Sequence, residues 1–342
     1  METNLKIDAS LMFDPVRNGT MAAELEALGF DGVYSFEGRH DPFMSLASTA
    51  ATTNEIDLMT SVAIAFVRNP MSLAYLANDL QLMSNGRFIL GLGTQVKAHV
   101  ERRFSMPWSK PAARMRETVQ AVRAIWGSWN SGERLAFDGE FYTHNLMPPT
   151  FSPGENPHGA PPVYIAGVGP LMTQVAAEVG DGYFVHPFHT EESFDRLSRP
   201  ALARGLEISG RASGDFTVSA QVVTAVAETE EALQQAIFSA RSQIAFYAST
   251  PAYRPVLEVH GWEGLQPELQ AMSRDNQWLE MAELINDEML HAFAVTGSVD
   301  QVAEKLVARC AGRMDRISPV IYQPDTEQLG LMVSAMRKAL QQ

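Results

Sequence analysis

The chain has 342 residues, 46% hydrophobic and 19% charged, enough apolar content for a globular fold, and no apolar run approaches the roughly 20 residues that a membrane span needs. Its 40 acidic against 26 basic residues leave a net charge of −14, which argues against nucleic acid and anionic membranes as partners. The lone cysteine, Cys310, excludes an internal disulfide and a thiolate zinc site, and Met1-Glu2-Thr3-Asn4-Leu5-Lys6 lacks the basic-then-apolar order of a secretory signal, so a cytoplasmic, reducing setting is expected.

Residues 5–11 alternate as a strand, and 20–28 read as an Ala/Glu/Leu helix ending at Gly29. A strand over 32–36 and a small-residue helix over 42–53 follow. The stretch 56–65 is a continuous apolar strand of the kind buried on both faces in a parallel sheet. The spacing predicts a helix over 71–83, with Leu73, Leu76, Ala77, Leu80 and Met83 along one face, stopped by Ser84-Asn85-Gly86 before a strand over 87–93. After residue 160 the alternation returns: strand 162–166, helix 171–179, strand 182–186, helix 191–208, strand 216–226 and helix 230–247. A helix over 299–311, a strand over 317–322 and a helix over 326–340 close the chain.

Eight strands, seven followed directly by helices, predict an α/β fold: a (β/α)8 TIM barrel forming a single domain over 1–342, with loop insertions at about 104–160 and 251–287. The first insertion carries a helix over 112–129 and a hairpin over 135–143. An open doubly wound sheet would favour a glycine-rich turn after its first strand, and Ser10-Leu11-Met12-Phe13-Asp14-Pro15 has no glycine.

Charge is unevenly spread. Between 87 and 116 there are seven basic residues, Arg87, Lys97, Arg102, Arg103, Lys110, Arg114 and Arg116, against one acid, Glu101; this island is +6 and the remainder −20. A solvated face, a subunit contact and a pocket for an anionic small molecule all fit such an island. The eight histidines are scattered, with no His-x3-His pair, so no metal site is expected.

Four segments together resemble the bacterial luciferase-like flavin and deazaflavin oxidoreductase superfamily. They are Arg68-Asn69-Pro70 with the run from Leu82-Met83-Ser84-Asn85-Gly86-Arg87 to Gly91-Leu92-Gly93; Thr60-Ser61-Val62; Ala166-Gly167-Val168-Gly169-Pro170 with Ala176 to Gly182; and Thr296-Gly297-Ser298-Val299-Asp300-Gln301-Val302-Ala303. Within the superfamily, the segments 101–108 and 111–116 resemble a group that uses the deazaflavin coenzyme F420. The resemblance implies a hydride transfer between F420 and a small organic molecule, in a barrel that pairs as a homodimer. The alternatives are an FMN-dependent monooxygenase and a non-catalytic flavin-binding barrel.

The resemblance also assigns residues. Ser61-Val62 falls where the superfamily places a non-prolyl cis peptide behind the cofactor ring. Gly167-Val168-Gly169, between a strand and a helix, would cradle a phosphate on backbone N–H groups. Thr94 and Gln95 would meet the ring or its sugar-like chain, and Lys97, His99, Arg102 and Arg103 the anionic tail. Glu37 ends the second strand at the catalytic rim. Many relatives have an acid followed by histidine there, whereas this chain has Glu37-Gly38 with its histidine at His40. Glu37 is the first acid/base candidate and His40 the second, against a structural pairing of Glu37 with Arg39 or Arg68. His186, ending the sixth strand, is read as a cofactor contact or a structural histidine, and Trp108 as a substrate neighbour.

Overall fold

The short apolar runs pair edge to edge in chain order because each is buried on both faces and has nowhere else to satisfy its backbone. The structure, a computed structural model, describes residues 5–11 and 14–341. Residues 1–4, which open the segment without the order of a secretory signal, and Met12 and Phe13 of the glycine-free turn lie outside the described residues. The strands are β1 (Lys6–Ser10), β2 (Gly32–Ser35), β3 (Asp57–Thr60), β4 (Ala63–Ile64), β5 (Phe88–Gly93), β6 (Phe137–Asp138), β7 (Thr143–His144), β8 (Val163–Gly167), β9 (Gly182–Val185), β10 (Thr217–Val226), β11 (Ala294–Gly297) and β12 (Arg316–Ile321). Parallel pairing runs β1-β2-β3-β5-β8-β9-β10-β12 and returns from β12 to β1. This closes the expected (β/α)8 TIM barrel.

Alternate residues of each strand point inward. Tyr34, Met59, Ile89, Tyr164 and Phe184 fill the barrel interior. Toward the N-terminal end of the barrel, Arg316 forks onto both carboxylate oxygens of Asp8 (2.9 and 2.6 Å) and reaches Asp57 (2.6 Å). The outer side packs against helices in one continuous apolar cluster.

Four details differ from the sequence pattern. The stretch 56–65 is interrupted after Thr60, and β4 resumes it only at Ala63. On the helix Pro70–Met83 the buried face is Leu73, Ala74, Ala77, Asn78, Leu80 and Gln81, while Leu76 and Met83 are exposed; the buried stripe admits the polar Asn78 and Gln81, which apolar spacing alone passes over. The helix Pro111–Ser131 lies in the outer ring, between Pro70–Met83 and Pro170–Val179, so the chain after β5 keeps its barrel helix despite the longer route. Finally, β11 is an extra strand just before the helix Val299–Cys310.

β11 changes the rim. The lower part of β10, Thr217 to Ala220, pairs with β9, whereas its upper part, Val223 to Val226, pairs with β11. The helix Glu230–Ala248 packs against Val223 and Ala225 together with Phe188 and the helices of the following excursion. Val223 and Ala225 share a strand face with Gln221, whose side chain reaches Ser61 across the barrel. That helix therefore walls the mouth instead of joining the outer ring.

Candidate active site

The C-terminal ends of the strands define the mouth, and its most unusual backbone lies at β3. The peptide between Ser61 and Val62 is cis. Below the step, Leu58 and Met59 face Phe88 and Ile89 of β5; above it, Ala63 and Ile64 face Leu92 and Gly93. The register thus changes by one residue, and the Thr60 hydroxyl fills the break: it donates to the Gly91 carbonyl (2.7 Å) and accepts from the Gly91 N–H (2.8 Å). Glycine is required opposite, since a Cβ at Gly91 would lie 1.7 Å from the Thr60 carbonyl oxygen. Val62 packs against the inner aromatic layer, and Gln221 Nε2 donates to Ser61 Oγ at 3.0 Å.

Beside this step, Glu37 Oε2 accepts from the Ile64 N–H (2.7 Å) and from Arg68 Nη1 (2.6 Å). The two side chains are only 7% and 13% exposed, and Arg68 also reaches Asp41 at 2.6 Å and covers the Phe43 ring. The pairing with Arg68 weighed in the sequence is therefore present, and it fixes the backbone just past the cis step. His40 is exposed on the same loop.

β5 and β8 are neighbours, so the loops after them leave the barrel side by side. After β5, Thr94 Oγ1 donates to the Gln95 carbonyl, and Gln95, at φ 58°, accepts on Oε1 from the Val96 N–H. The short helix Lys97–Arg102 follows with Lys97, His99, Arg102 and Arg103 all exposed. Lys97 lies 3.8 Å from Glu101, and Arg103 donates to the Gly38 carbonyl. After β8, Gly169 caps the helix Pro170–Val179, which has Pro170 at its first position and no side-chain cap. The Tyr183 hydroxyl donates to the Gly167 carbonyl (2.6 Å), which fixes the turn, and a Cβ at Gly169 would meet nothing within 4 Å. Val168 packs on the cluster under the mouth-walling helix.

The basic island does not gather as one patch. Arg87 bonds the Ser84 and Ile56 carbonyls, Arg114 is buried between the Phe66 and Tyr142 rings, Arg116 forks onto Glu178, and Lys110 pairs with Glu140. Four of its seven cations hold the fold together. The rest, Lys97, Arg102 and Arg103, remain near the rim. Trp108 stands edge-on to Phe66 at 5.6 Å and packs against the outer core.

His186 sits at the end of β9 in an aromatic cage: Tyr247 and Tyr253 each lie 4.7 Å away. The Phe188 N–H donates to Nδ1 (3.0 Å), so the ring proton belongs on Nε2, facing the Tyr253 hydroxyl at 3.3 Å. Burial pushes the His186 pKa down to about 3, and that of its neighbour His189 to about 3 by burial and then by the charge of Arg309. Burial also raises the Tyr247 phenol and lifts Tyr253 to about 12. This wall is neutral across the physiological range. Tyr247, Tyr253 and Gln221 escaped the sequence reading, because they reach the mouth through an excursion and across the barrel, with no local motif to mark them.

Among the described residues no group of three or more His, Cys, Asp or Glu could hold a metal ion, and no helix is long and apolar enough to cross a membrane. Among solved structures, the coenzyme F420-dependent tetrahydromethanopterin reductase of Methanopyrus kandleri superposes with a TM-score of 0.80 at 18% identity, over 99% of this chain and 100% of that one. An uncharacterized protein of Mycobacterium tuberculosis, Rv1360, is 47% identical over 334 residues, 98% of each chain. The 5,10-methylenetetrahydromethanopterin reductase of Archaeoglobus fulgidus is 28% identical over 289 residues, 82% of each. The family model described as luciferase-like monooxygenase matches residues 5–316, and the chain belongs to that family.

Proposed function

We propose that the protein is an oxidoreductase that transfers a hydride between coenzyme F420 and a small organic substrate. The observation that carries this reading is that two neighbouring strands, β8 and β5, lead into an uncapped helix N-terminus at Gly169 and into the exposed cations of 97–103. The first offers unpaired N–H groups and the positive end of a helix dipole to a phosphate. The second offers charge for further anions. Open space beside Gly169 and the close packing of Val62 behind the mouth fit a flat ring carrying an anionic chain. When bound, the deazaflavin supplies the hydride acceptor or donor at its C5.

In this reading the chain's own residues do the rest. Val62 and the Ser61-Val62 step back the ring, Thr94 and Gln95 border it, and Gly167 to Gly169 with Arg102 and Arg103 hold the chain. His186, neutral and fixed in one tautomer, borders the pocket. Glu37 is committed to Arg68 and the Ile64 N–H, so it positions the loop, and His40 beside it handles the proton. A homodimer in the reducing cytosol completes the proposal.

FMN in a monooxygenase is the second reading, supported by the family's description. Titration with F420 and with FMN at two ionic strengths separates them. F420, with more negative charge, should bind more tightly and lose affinity as salt rises. Equal affinities, or an F420 affinity indifferent to salt, would overturn the proposal.

A further inference from the structure

Ser61 and Val62 follow β3 at the barrel mouth, and most of what they offer is already committed. The Ser61 N–H donates to the Ser35 carbonyl (2.9 Å), and the Val62 carbonyl accepts from the Glu37 N–H (3.2 Å). The Val62 side chain is wedged onto β5: a Cβ at Gly93 would lie 2.5 Å from its Cγ2. The Ser61 hydroxyl is different. Its oxygen accepts from Gln221 Nε2 at 3.0 Å, so its own hydrogen points away from Gln221. Among the described residues no acceptor takes that hydrogen, and Ser61 is partly exposed.

Gln221 reaches Ser61 from a strand that is held on both sides. Ala220 stands opposite Val185 of β9, and Gln221 itself stands opposite Ser318 of β12. The Ser318 hydroxyl is turned to the Tyr34 hydroxyl at 3.1 Å. A side chain carried by a paired strand is placed more precisely than one carried by a loop. A serine hydroxyl alone rotates freely among its staggered positions. The amide of Gln221 removes those that aim the hydrogen back at β10, so less freedom is lost when a ligand accepts it.

Resting on the reading that a planar cofactor lies against Val62, we infer that Ser61 donates a hydrogen bond to an acceptor atom of the cofactor ring. Gln221 is the positioning residue that turns the hydroxyl toward it. Deazaflavin and flavin rings both carry carbonyl oxygens, so the same contact serves F420 and FMN. Both side chains are uncharged, and this sets the contact apart from the cations of 97–103. Salt screens attraction between exposed charges and leaves a neutral hydrogen bond nearly untouched.

The test is a double-mutant cycle in the full chain, read by titration with F420 and with FMN. Gln221→Met keeps the length of the side chain and removes its amide, and Ser61→Ala removes the hydroxyl. Each single variant should weaken binding about three- to tenfold, as expected for one neutral hydrogen bond, and by the same factor at low and high salt. The double variant should bind within about twofold of Ser61→Ala, because Gln221 acts only through Ser61. The absorption maximum of the bound cofactor should shift alike in both single variants, which a merely loosened fold would not produce. Thermal melts check that each variant folds cooperatively, and Gln221→Leu replaces Gln221→Met if the latter does not. Effects that multiply in the double variant, or an affinity of Gln221→Met equal to or above wild type, overturn the inference. Wild-type protein that binds neither cofactor overturns the reading beneath it, and that result is seen before any variant is measured.

Discussion

Glu37 shows how a side chain at a catalytic rim can be occupied by architecture. Its carboxylate holds both the Ile64 N–H and Arg68 in a nearly closed environment. Glu37→Gln keeps a carbonyl acceptor for the amide but removes the charge facing Arg68, which retains Asp41. Breaking a buried pair from one side costs about 3–5 kcal/mol when no partner remains, and Asp41 should reduce this to about 2–3 kcal/mol. The expected outcome is a lower denaturant midpoint with an unchanged slope. Wild-type stability with turnover alone reduced would instead return Glu37 to the role of acid/base group. Sequence could place Glu37 at a strand end and name Arg68 as a partner, but only the fold shows that both contacts use the same oxygen.

At the scale of elements, the β3–β4 interruption depends on one hydroxyl. Thr60 satisfies both the N–H and the carbonyl of Gly91 at the point where the ladder changes register. Thr60→Val keeps the shape and leaves two buried backbone groups unpaired, at about 1–3 kcal/mol for each unsatisfied group. A loss of about 2–4 kcal/mol in urea unfolding is expected; a loss below that of an ordinary surface substitution would show that other groups carry the step. The apolar composition of 56–65 made a strand legible, and the resemblance located Ser61-Val62, yet neither disclosed how Thr60 bridges the gap. β11 was hidden for another reason: Ala294–Gly297 is too short for periodicity to distinguish from the opening of the next helix. The helix Glu230–Ala248 was legible as a helix, while its position over the mouth follows from β10 changing partners, a long-range event.

For the molecule as a whole, the neutral wall has a consequence for acid stability. His186 and His189 have folded pKa values of about 3, against about 6.5 in an unfolded chain. Below that value the unfolded state binds two protons that the folded state refuses. Their contribution is therefore complete above about pH 6.5 and falls as pH drops toward 3, by up to about 1.4 kcal/mol per pH unit for each histidine. Urea midpoints measured from pH 7 to pH 4 should decline, and His189→Gln should flatten the decline by about one proton's worth of slope. A pH-independent midpoint across that interval would show that both rings are accessible to protons in the fold.

The exchange of partners along β10 also divides the mouth by chain segment. Everything proposed to face the cofactor's anionic chain comes from residues before 170, whereas the helix Glu230–Ala248 that walls the mouth belongs to one uninterrupted stretch that leaves the barrel at β10 and rejoins it after β11. Such an arrangement behaves as a removable cassette. Under the proposed function, that stretch could be rewritten without touching the residues proposed to hold the cofactor's anionic chain.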